Sequence, residues 1–460
     1  MINFWDFSVW GSFMLFAVLL GSLLVANILK KSIPFLEKSL IPTSVLGGGI
    51  LLVIAFVYKL ITGDVIFDTE FFGGNGSATL ETLTYHTLAL GFIATALKTT
   101  GGKLNKKRSA EIFNTGVTTV GTYLLQAFLG MGITIIAALV IKEFFSSSGI
   151  LLAFGFGQGT GQAMNYGGIY ETDFGFVGGK SFGLTIAAIG FLCASIGGVI
   201  HLNILRRKGK IKTVNVGKNS IIHSEIQSEN EIPMQESLDK MTVQIALMAV
   251  SYLFAYMLMF GLGNLFPGMK SVIYGFNFLL GVLCATLIKT VLNFLNKKKL
   301  VKRQYTNNFL LTRAGNFFFD IMVVAGIAAI RLDMLEKYWG VIAILVAVGT
   351  VSTYVYNFFV AKTLFSEYAQ EQFLAMYGML TGTASTGVIL LREIDGEFRT
   401  PVSDNLVYQN FPAIVFGFPM MFLATYAPKN PILTLVLFGA LFAVMNLILF
   451  RSYIFKRKNK

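Results

Sequence analysis

The sequence predicts an all-α polytopic membrane protein with two inverted five-helix repeats, each carrying a re-entrant hairpin, plus one extra C-terminal span. Three observations predict this class. Hydrophobic residues make up 54% of the 460 residues and charged ones only 13%, about half the charged share of soluble domains. Long apolar runs recur along the chain, and two Gly-rich apolar segments occur at matching places among them. Soluble, disordered and fibrous classes are excluded, because polar surface could not cover so much apolar side chain.

Eleven apolar runs are candidate spans of the hydrocarbon core, which is roughly 30 Å thick and needs about 20 helical residues. No Lys or Arg precedes the first run, so we expect it not to be a cleaved secretory signal. The spans are predicted at 9–29, 40–60, 82–97, 111–141, 181–204, 241–266, 272–295, 309–330, 338–361, 405–427 and 432–453. Two further apolar segments, 148–168 and 372–392, are too short and too rich in Gly to span alone.

The placement of Lys and Arg predicts the orientation. With the N-terminus outside and the C-terminus cytoplasmic, 28 of the 37 Lys and Arg lie in cytoplasmic segments, as the positive-inside rule requires. This bias holds only if each Gly-rich segment enters and leaves the membrane on the same side, 148–168 on the outside and 372–392 on the inside. Both segments are therefore predicted to be re-entrant hairpins. The bias also explains the net charge of +13 without a nucleic-acid partner. We expect a multi-pass protein of the cell membrane.

The longest polar segment, 206–240, predicts a cytoplasmic linker between a first repeat at 1–205 and a second at 241–427. Residues 428–460 form the extra span and a basic cytoplasmic tail. Because each repeat has five spans, an odd number, the second repeat begins on the opposite side and is inverted. Paired interrupted segments in inverted halves indicate a transporter binding site. The alternative is that the Gly-rich segments only pack helices closely.

The core of the first hairpin, residues 155–163, reads GFGQGTGQA. Four glycines at alternate positions disfavour a helix and leave backbone N–H and C=O groups free to face a ligand. Gln158, Thr160 and Gln162 add neutral donors and acceptors. A helix that starts after such a break directs its positive end at an anion.

The second hairpin offers the same chemistry through hydroxyl groups. Its core, residues 381–387, reads TGTASTG. We expect the two tips to meet at mid-membrane and to hold an anionic solute with its coupling cations. Thr160 and Ser385, one at each tip, are candidate cation ligands. Two close-packed turns without a ligand are the alternative.

Ionisable residues inside the apolar runs are further candidates. Asp320 lies deep in a span, where an acid costs roughly 2.5–3.5 kcal/mol unless it is paired or hydrated. It is a candidate cation ligand or proton carrier, with Asn316 adding a neutral oxygen one turn earlier; an ion pair with Arg313 is the alternative. Arg392, just after the second hairpin, is the best-placed cation for a substrate carboxylate, or else an interfacial anchor. His86 is expected to be a hydrogen-bonded interfacial residue.

Motifs for enzymes and nucleotide binding are not supported. The first hairpin lacks the GxGxxG spacing and follows no strand. Residues 179–181 read GKS, but Phe174 stands where a P-loop has its first glycine, and no HExxH occurs. Cys193 and Cys284 lie inside apolar runs and suit neither a disulfide nor a zinc site. We expect no enzymatic activity, no cofactor and no metal beyond a transported ion.

Several motifs resemble the bacterial sodium/glutamate symporters over most of the chain. They are FLEKSLIP at 35–42 with three glycines at 47–49, the hairpin core GQGTG at 157–161, and Gly315-Asn316 in the eighth span. The second hairpin is similar in position. The resemblance implies sodium-coupled uptake of glutamate, two inverted five-helix repeats, and a homodimer in which a mobile transport domain slides against a scaffold.

The resemblance also implies that residues of both tips contact the substrate. Carried over residue by residue, it implies contacts at Gly157, Gly159, Thr160, Gly161, Gly382, Ser385 and Thr386. Side-chain chemistry and position add Gln158, Thr383 and Arg392 to the predicted substrate contacts. The chain departs from the family pattern at Gln158, where histidine is frequent, at Ser385, where proline is frequent, and at Asp320, where an apolar residue is common. These departures leave open another acidic amino acid, a dicarboxylate or another organic anion, and a proton in place of sodium. A re-entrant-loop ion channel is the second class of function left open.

Overall fold

The computed structural model describes residues 4–98, 106–209, 231–234, 238–267, 270–300, 303–395 and 399–455. These residues form α-helices joined by short 3-10 turns, and the β contact among them is an isolated bridge between Glu231 and Gln304. Most of the predicted linker 206–240, and the basic tail beyond residue 455, lie outside the described residues.

The helices preceding the linker include six that are at least 20 residues long. They are α1 (Phe7–Ser32), α2 (Pro34–Lys38), α3 (Thr43–Thr62), α4 (Gly76–Leu97), α5 (Lys106–Val140), α6 (Leu151–Phe174) and α7 (Gly179–Arg207). Those following it are α8 (Lys240–Leu265), α9 (Lys270–Gly275), α10 (Asn277–Lys297), α11 (Asn308–Ala328), α12 (Trp339–Leu364), α13 (Ala369–Thr381), α14 (Ala384–Arg392), α15 (Val402–Tyr408), α16 (Asn410–Tyr426), α17 (Pro431–Leu449) and α18 (Arg451–Phe455).

Nine of the described helices are long and apolar enough to cross a membrane, so the chain is a multi-pass membrane protein. They are α1, α3, α5, α7, α8, α10, α11, α12 and α17. Each corresponds to one predicted span. Large apolar side chains are exposed on these helices, such as Ile61 at 79% and Leu139 at 83%, which suits contact with lipid rather than water.

Two of the eleven predicted spans are not among those nine. The run 82–97 lies in α4, which carries Glu81 and six Ser or Thr side chains. The run 405–427 is divided between α15 and α16, and α16 has only 17 residues with Pro419 inside it. A proline in a helix removes one backbone hydrogen bond and bends the helix. Run length alone therefore overestimates the number of candidate spans.

The chain divides into two compact units that interleave along the sequence. The first comprises Met1–Glu81, Leu104–Asn215 and Val323–Lys460, and the second comprises Thr82–Lys103 and Val216–Met322. Each unit therefore takes segments from both predicted repeats. Both helical segments that were predicted as hairpins belong to the first unit.

In the second unit, a buried ion pair joins the segment before α8 to that helix. Lys240 Nζ lies 2.7 Å from Glu231 Oε2, and the Lys240 side chain is fully buried. The same carboxylate oxygen accepts a hydrogen bond from Asn307 Nδ2 at 2.6 Å. Gln244 donates to Tyr305 O and accepts from Asn307 N. These contacts hold the starts of α8 and α11 together.

Candidate functional site: two helical hairpins

The chain reverses direction within α6, at Gly159. This residue has φ +78° and ψ −169°, a backbone conformation that essentially only glycine adopts. The rings of Phe154 and Tyr166 stack with their centroids 3.9 Å apart, whereas residues twelve apart in an unbroken helix are separated by about 18 Å. The segment is therefore a helical hairpin, the first hairpin, with Gly159 at its tip.

The other glycines of the first hairpin are helical, so the break expected from four alternating glycines is confined to Gly159. A Cβ on Gly155 would lie 2.8 Å from Ile186 Cγ2, and Gly157 lies directly against the Tyr123 ring. The Tyr123 hydroxyl also donates to Gly157 O at 3.0 Å. This close packing stabilises the helix and outweighs the low helix propensity of glycine.

α13 and α14 form the second hairpin, which turns at residues 382–383. A Cβ on Gly378 would lie 2.8 Å from Gly387 Cα, so the two arms touch backbone to backbone. Thr383 caps α14, because its Oγ1 accepts a hydrogen bond from Thr386 N at 3.4 Å. Thr386 is fully buried. The second tip thus presents a capped helix N-terminus and buried hydroxyl groups.

Gln126 of α5 contacts both hairpins. Its Nε2 donates to Leu380 O, near the end of α13, and to Thr353 Oγ1, each at 2.8 Å. Its Oε1 lies 3.4 Å from the position that a Cβ on Gly157 would occupy. Because Gln126 touches Gly157 of the first hairpin and Leu380 of the second, the two tips lie close together in the first unit.

Gly190 of α7 also lies between the two hairpins. A Cβ at this position would be 2.6 Å from Thr381 O and 2.8 Å from the Phe156 ring. Only a residue without a side chain permits both contacts. α5 and α7 therefore both hold the tips in place.

Two buried amide atoms at the tips lack a hydrogen-bond partner among the described residues: Gln126 Oε1 and Gln162 Nε2. Both side chains are at most 1% exposed. Gln162 lies in the first turn after the break, and its Oε1 accepts from Asn165 Nδ2 at 3.0 Å. An unpaired buried polar atom costs about 1–3 kcal/mol. One acceptor and one donor therefore remain available to a polar ligand or to water.

A reciprocal pair of hydrogen bonds joins α5 to α12. Gln126 Nε2 donates to Thr353 Oγ1, and Asn357 Nδ2 donates to Thr122 Oγ1 at 3.2 Å. In each helix the threonine precedes the amide residue by four positions. Because the later residue of one helix pairs with the earlier residue of the other, the two helices run antiparallel at this crossing.

Each hairpin packs against the last long helix of the other predicted repeat. Tyr170 of the first hairpin donates to Ala424 O of α16 at 2.7 Å. Tyr377 of the second hairpin donates to Cys193 O of α7 at 3.0 Å. Buried tyrosine hydroxyls require such partners, so these contacts fix which helix faces each hairpin.

The structure brings most of the predicted substrate contacts together at the two tips. These are Gly157, Gln158, Gly159, Thr160, Gly161, Gly382, Thr383 and Thr386. Ser385 lies in the first turn of α14, but its side chain is outside the described part of the structure. Arg392 is the exposed last residue of α14, about 15 Å of helix from the second tip. It does not lie at that tip.

The predicted cation ligands of the eighth span belong to the second unit. Asn316 and Asp320 are both exposed and lie one turn apart on α11, on the same face as Arg313. Among the other candidates, Thr160 is buried and faces Gly326 on the last turn of α11. The structure thus groups Thr160 with the hairpin tips and places Asn316 and Asp320 in a separate compact unit.

Sequence reasoning missed the buried amides Gln126 and Asn357, which contact the tips or the helix beside them. The available signal was a series of polar residues at helical spacing inside an apolar run. On α5 these residues are Thr115, Thr119, Thr122 and Gln126.

Among the ionisable candidates, His86 is a hydrogen-bonded residue as expected, since its Nδ1 lies 2.8 Å from the Tyr252 hydroxyl. No model of a known protein family matches the chain, and no curated protein matches it either. The geometry of the two hairpins is therefore the basis for assigning a function.

Proposed function

We propose that the protein is a secondary active transporter of the cell membrane that carries a small anionic solute together with cations. The observation that carries this proposal is the meeting of two helical hairpins with polar tips inside a multi-pass membrane protein. Polar, non-helical backbone at membrane depth is tolerated only where protein or a cavity surrounds it. Paired broken segments of this kind form the substrate site of many transporters.

The tips present groups that can bind an anion and groups that can bind a cation. Helices start at Thr160 and Ala384, and a helix N-terminus carries a partial positive charge of about half a unit. Together with the unpaired Gln162 Nε2, these ends suit a carboxylate. The preceding arms end at the same tips with partial negative charge, and the unpaired Gln126 Oε1 adds an acceptor. These groups suit a cation such as sodium.

The proposal includes two inverted repeats whose hairpins are re-entrant. The exchanged hydrogen bonds between α5 and α12 support it, because a two-fold axis in the membrane plane would produce such an exchange. The inversion is also consistent with the packing of each hairpin against the last long helix of the other repeat, through Tyr170 and Tyr377. With the N-terminus outside, the first hairpin opens to the outside and the second to the cytoplasm, where the C-terminus also lies.

The proposed solute is glutamate, a similar acidic amino acid or a dicarboxylate, and the proposed coupling ion is sodium. The resemblance of residues 35–42 and 157–161 to sodium/glutamate symporters supports this choice. At least two sodium ions per singly charged anion bring net positive charge inward, which gains ~2.3 kcal/mol per charge per 100 mV. The two interleaved compact units support an elevator-type mechanism, which we place in a homodimer.

Uptake into proteoliposomes tests the proposed function. Purified full-length protein is reconstituted, an inward sodium gradient is imposed, and accumulation of radiolabelled glutamate, aspartate and C4-dicarboxylates is measured. We expect one of them to accumulate only while the gradient lasts. Dissipating the gradient with a sodium ionophore should abolish accumulation. No accumulation of any of these solutes, with either a sodium or a proton gradient, would contradict the proposal.

A matched pair of substitutions tests the site within the same assay. Gln162→Met removes the unpaired Nε2 donor while keeping the length of the side chain, so uptake should fall strongly. Gln304→Met makes the same chemical change between α10 and α11, in the second unit and outside the sequence of both hairpins, and should transport as the unmodified chain does. Equal uptake by the two variants would show that the first hairpin does not bind the solute.

A further inference from the structure

We infer that one polar face of α5 is the aqueous path that connects the hairpin tips with the end of α5 at Arg108, and that Arg108 closes it. This inference rests on the proposed function, since it names the route by which solute and cations reach the site. In the described structure the path is closed by a chain of hydrogen-bonded side chains. Opening would exchange these side-chain hydrogen bonds for bonds to water.

The polar face of α5 follows the helical repeat. Its members succeed one another at intervals of three or four residues, which places them on one side of the helix. They extend over about 27 Å of helix, from the start of α5 to the hairpin tips. They are Arg108, Glu111, Thr115, Thr119, Thr122 and Gln126. The last four are fully buried.

Polar side chains of other elements cover the half of this face that is nearer to Arg108. Gln372 of α13 donates to Thr115 Oγ1 at 3.2 Å and accepts from Asn405 Nδ2 at 3.4 Å. Asn405 Oδ1 in turn accepts from Arg108 Nη1 at 3.1 Å. A continuous series of hydrogen bonds therefore leads from Arg108 to Thr115.

Polar side chains likewise cover the half of the face that is nearer to the hairpin tips. Thr119 Oγ1 donates to Gln409 Oε1, between α15 and α16, at 2.8 Å. Beyond it, Thr122 pairs with Asn357 of α12, and Gln126 reaches the carbonyl oxygen of Leu380. Every buried position on the face thus meets a polar group of another element.

The face also follows the first arm of the second hairpin. Gln372, near the start of α13, contacts Thr115, whereas Leu380, near its tip, contacts Gln126. α13 therefore runs in the same direction as α5, from the end near Arg108 to the tips. The path accordingly leads to the side from which the second hairpin enters, which the proposed orientation makes the cytoplasmic side.

Arg108 holds the path closed at the end that is farthest from the hairpin tips. Its Nη1 donates to Glu111 Oε2 at 2.7 Å as well as to Asn405, and its Nη2 donates to Pro401 O at 3.4 Å. Pro401 and Asn405 belong to the N-cap and the body of α15. One guanidinium group thus holds α15 against the start of α5, and hydrogen bonds to charged groups are stronger than neutral ones.

Two properties favour a path over a network that only fixes packing. A packing network satisfies its buried polar atoms, yet Gln126 Oε1 and Asn357 Oδ1 lack hydrogen-bond partners within the described ranges. The buried members of the face are also neutral, so water can replace their partners without leaving a charge unpaired. Polar residues that face the interior of a membrane bundle commonly mark solute and ion pathways.

Cysteine accessibility tests the path. In a full-length chain with Cys193→Ser and Cys284→Ser, Thr119→Cys places one thiol on the polar face. Val117→Cys is the matched control, because Val117 is similar in size to threonine, equally buried on α5, and about 200° around the helix from Thr119. Both variants are reconstituted in liposomes and treated on each side with a membrane-impermeant methanethiosulfonate, and modification is followed by mass spectrometry.

We expect the thiol of Thr119→Cys to be modified from the side of Arg108, and saturating solute with sodium should slow this modification. The thiol of Val117→Cys should stay unmodified. If neither thiol reacts in protein that takes up solute, the path is wrong and the proposed function stands. If both thiols react equally, the polar face is not selectively hydrated and the path is likewise wrong. Failure of uptake alone would instead contradict the proposed function.

A second pair of variants tests the closing role of Arg108 in the Thr119→Cys background. Arg108→Gln should raise the modification rate about tenfold, as expected when one charge-assisted contact no longer favours the closed form. Lys107→Gln removes one positive charge from the neighbouring position, where Lys107 pairs with Glu367 at 2.9 Å in an exposed ion pair. It should leave the rate unchanged. Equal rates in both variants would overturn the closing role of Arg108.

Discussion

At the scale of single residues, the buried carboxylate of Glu231 and the buried amides at the hairpin tips are compensated to different degrees. The Glu231 carboxylate has both a cation and an amide donor, from Lys240 and Asn307. At the hairpin tips, by contrast, Gln126 and Gln162 each keep one unpaired atom. The first arrangement is typical of a structural contact, whereas the unpaired atoms of the second remain available to the proposed ligand.

The Lys240–Glu231 ion pair gives a stability prediction. Lys240→Met should lower the free energy of unfolding by about 3–5 kcal/mol, because it leaves the buried Glu231 carboxylate without its cation. Adding Glu231→Gln should recover part of this loss, since a neutral amide oxygen still accepts from Asn307. Thermal and denaturant unfolding of the purified protein measure both effects.

The exposed pair of Lys107 and Glu367 supplies the control for that measurement. Lys107→Gln should leave the unfolding transition nearly unchanged, because exposed ion pairs contribute little to stability. A loss for Lys240→Met no larger than that of Lys107→Gln would show that burial of the pair does not matter for stability.

Residue types and spacing were sufficient to select Gly159 and the tip hydroxyls from the sequence. They were not sufficient for Gln126, because one sequence does not show which polar residue of an apolar run has a partner on a distant helix. The same limit applies to Arg392. Its position after the hairpin suggested a substrate contact, but a helix of nine residues separates it from the tip.

At the scale of elements, the decisive feature is a single break in an otherwise helical segment. Alternating glycines predicted a weak helix over residues 155–161, but contacts with Tyr123 and Ile186 keep it helical on one side of Gly159. Helix propensity depends on the local sequence, whereas these contacts come from residues that are distant along the chain. The sequence therefore predicts that a break exists better than it predicts how many residues the break includes. Candidate spans were likewise predicted well where apolar runs are long, and poorly where Pro419 interrupts one.

The break at Gly159 gives a prediction for the first hairpin. Gly159→Ala should destabilise the protein by about 1–3 kcal/mol, because alanine is strained at φ +78° and ψ −169°. It should also abolish the thermal shift produced by the transported solute, since the helix after the break could no longer point at the tip. Differential scanning fluorimetry with and without solute measures both.

Gly132 offers a matched control on α5, where a Cβ would meet nothing within 4 Å. Gly132→Ala should keep the solute response and leave stability equal or higher by up to about 1 kcal/mol, because alanine favours a helix. A Gly159→Ala variant that behaves like Gly132→Ala would show that the hairpin tolerates a side chain at its tip.

At the scale of the whole molecule, the two predicted repeats and the two compact units divide the chain differently. The repeats divide it at the linker, whereas the first unit joins residues before position 82 to residues after position 322. Composition and run length predict candidate spans, and the placement of Lys and Arg predicts their orientation, but neither shows which distant helices pack together. Exchanged contacts such as those between α5 and α12 therefore could be found only in three dimensions.

The proposed inverted orientation of the two hairpins gives the last prediction. Val177, just after the first hairpin and 68% exposed, should lie outside the cell, and Glu367, just before the second hairpin, should lie in the cytoplasm. In a background with Cys193→Ser and Cys284→Ser, a membrane-impermeant maleimide should therefore label Val177→Cys on intact cells. Glu367→Cys should be labelled only after the membrane is permeabilised, and the background itself should remain unlabelled. Labelling of both cysteines from one side would contradict the inversion, because hairpins that enter from the same side cannot be related by a two-fold axis in the membrane plane.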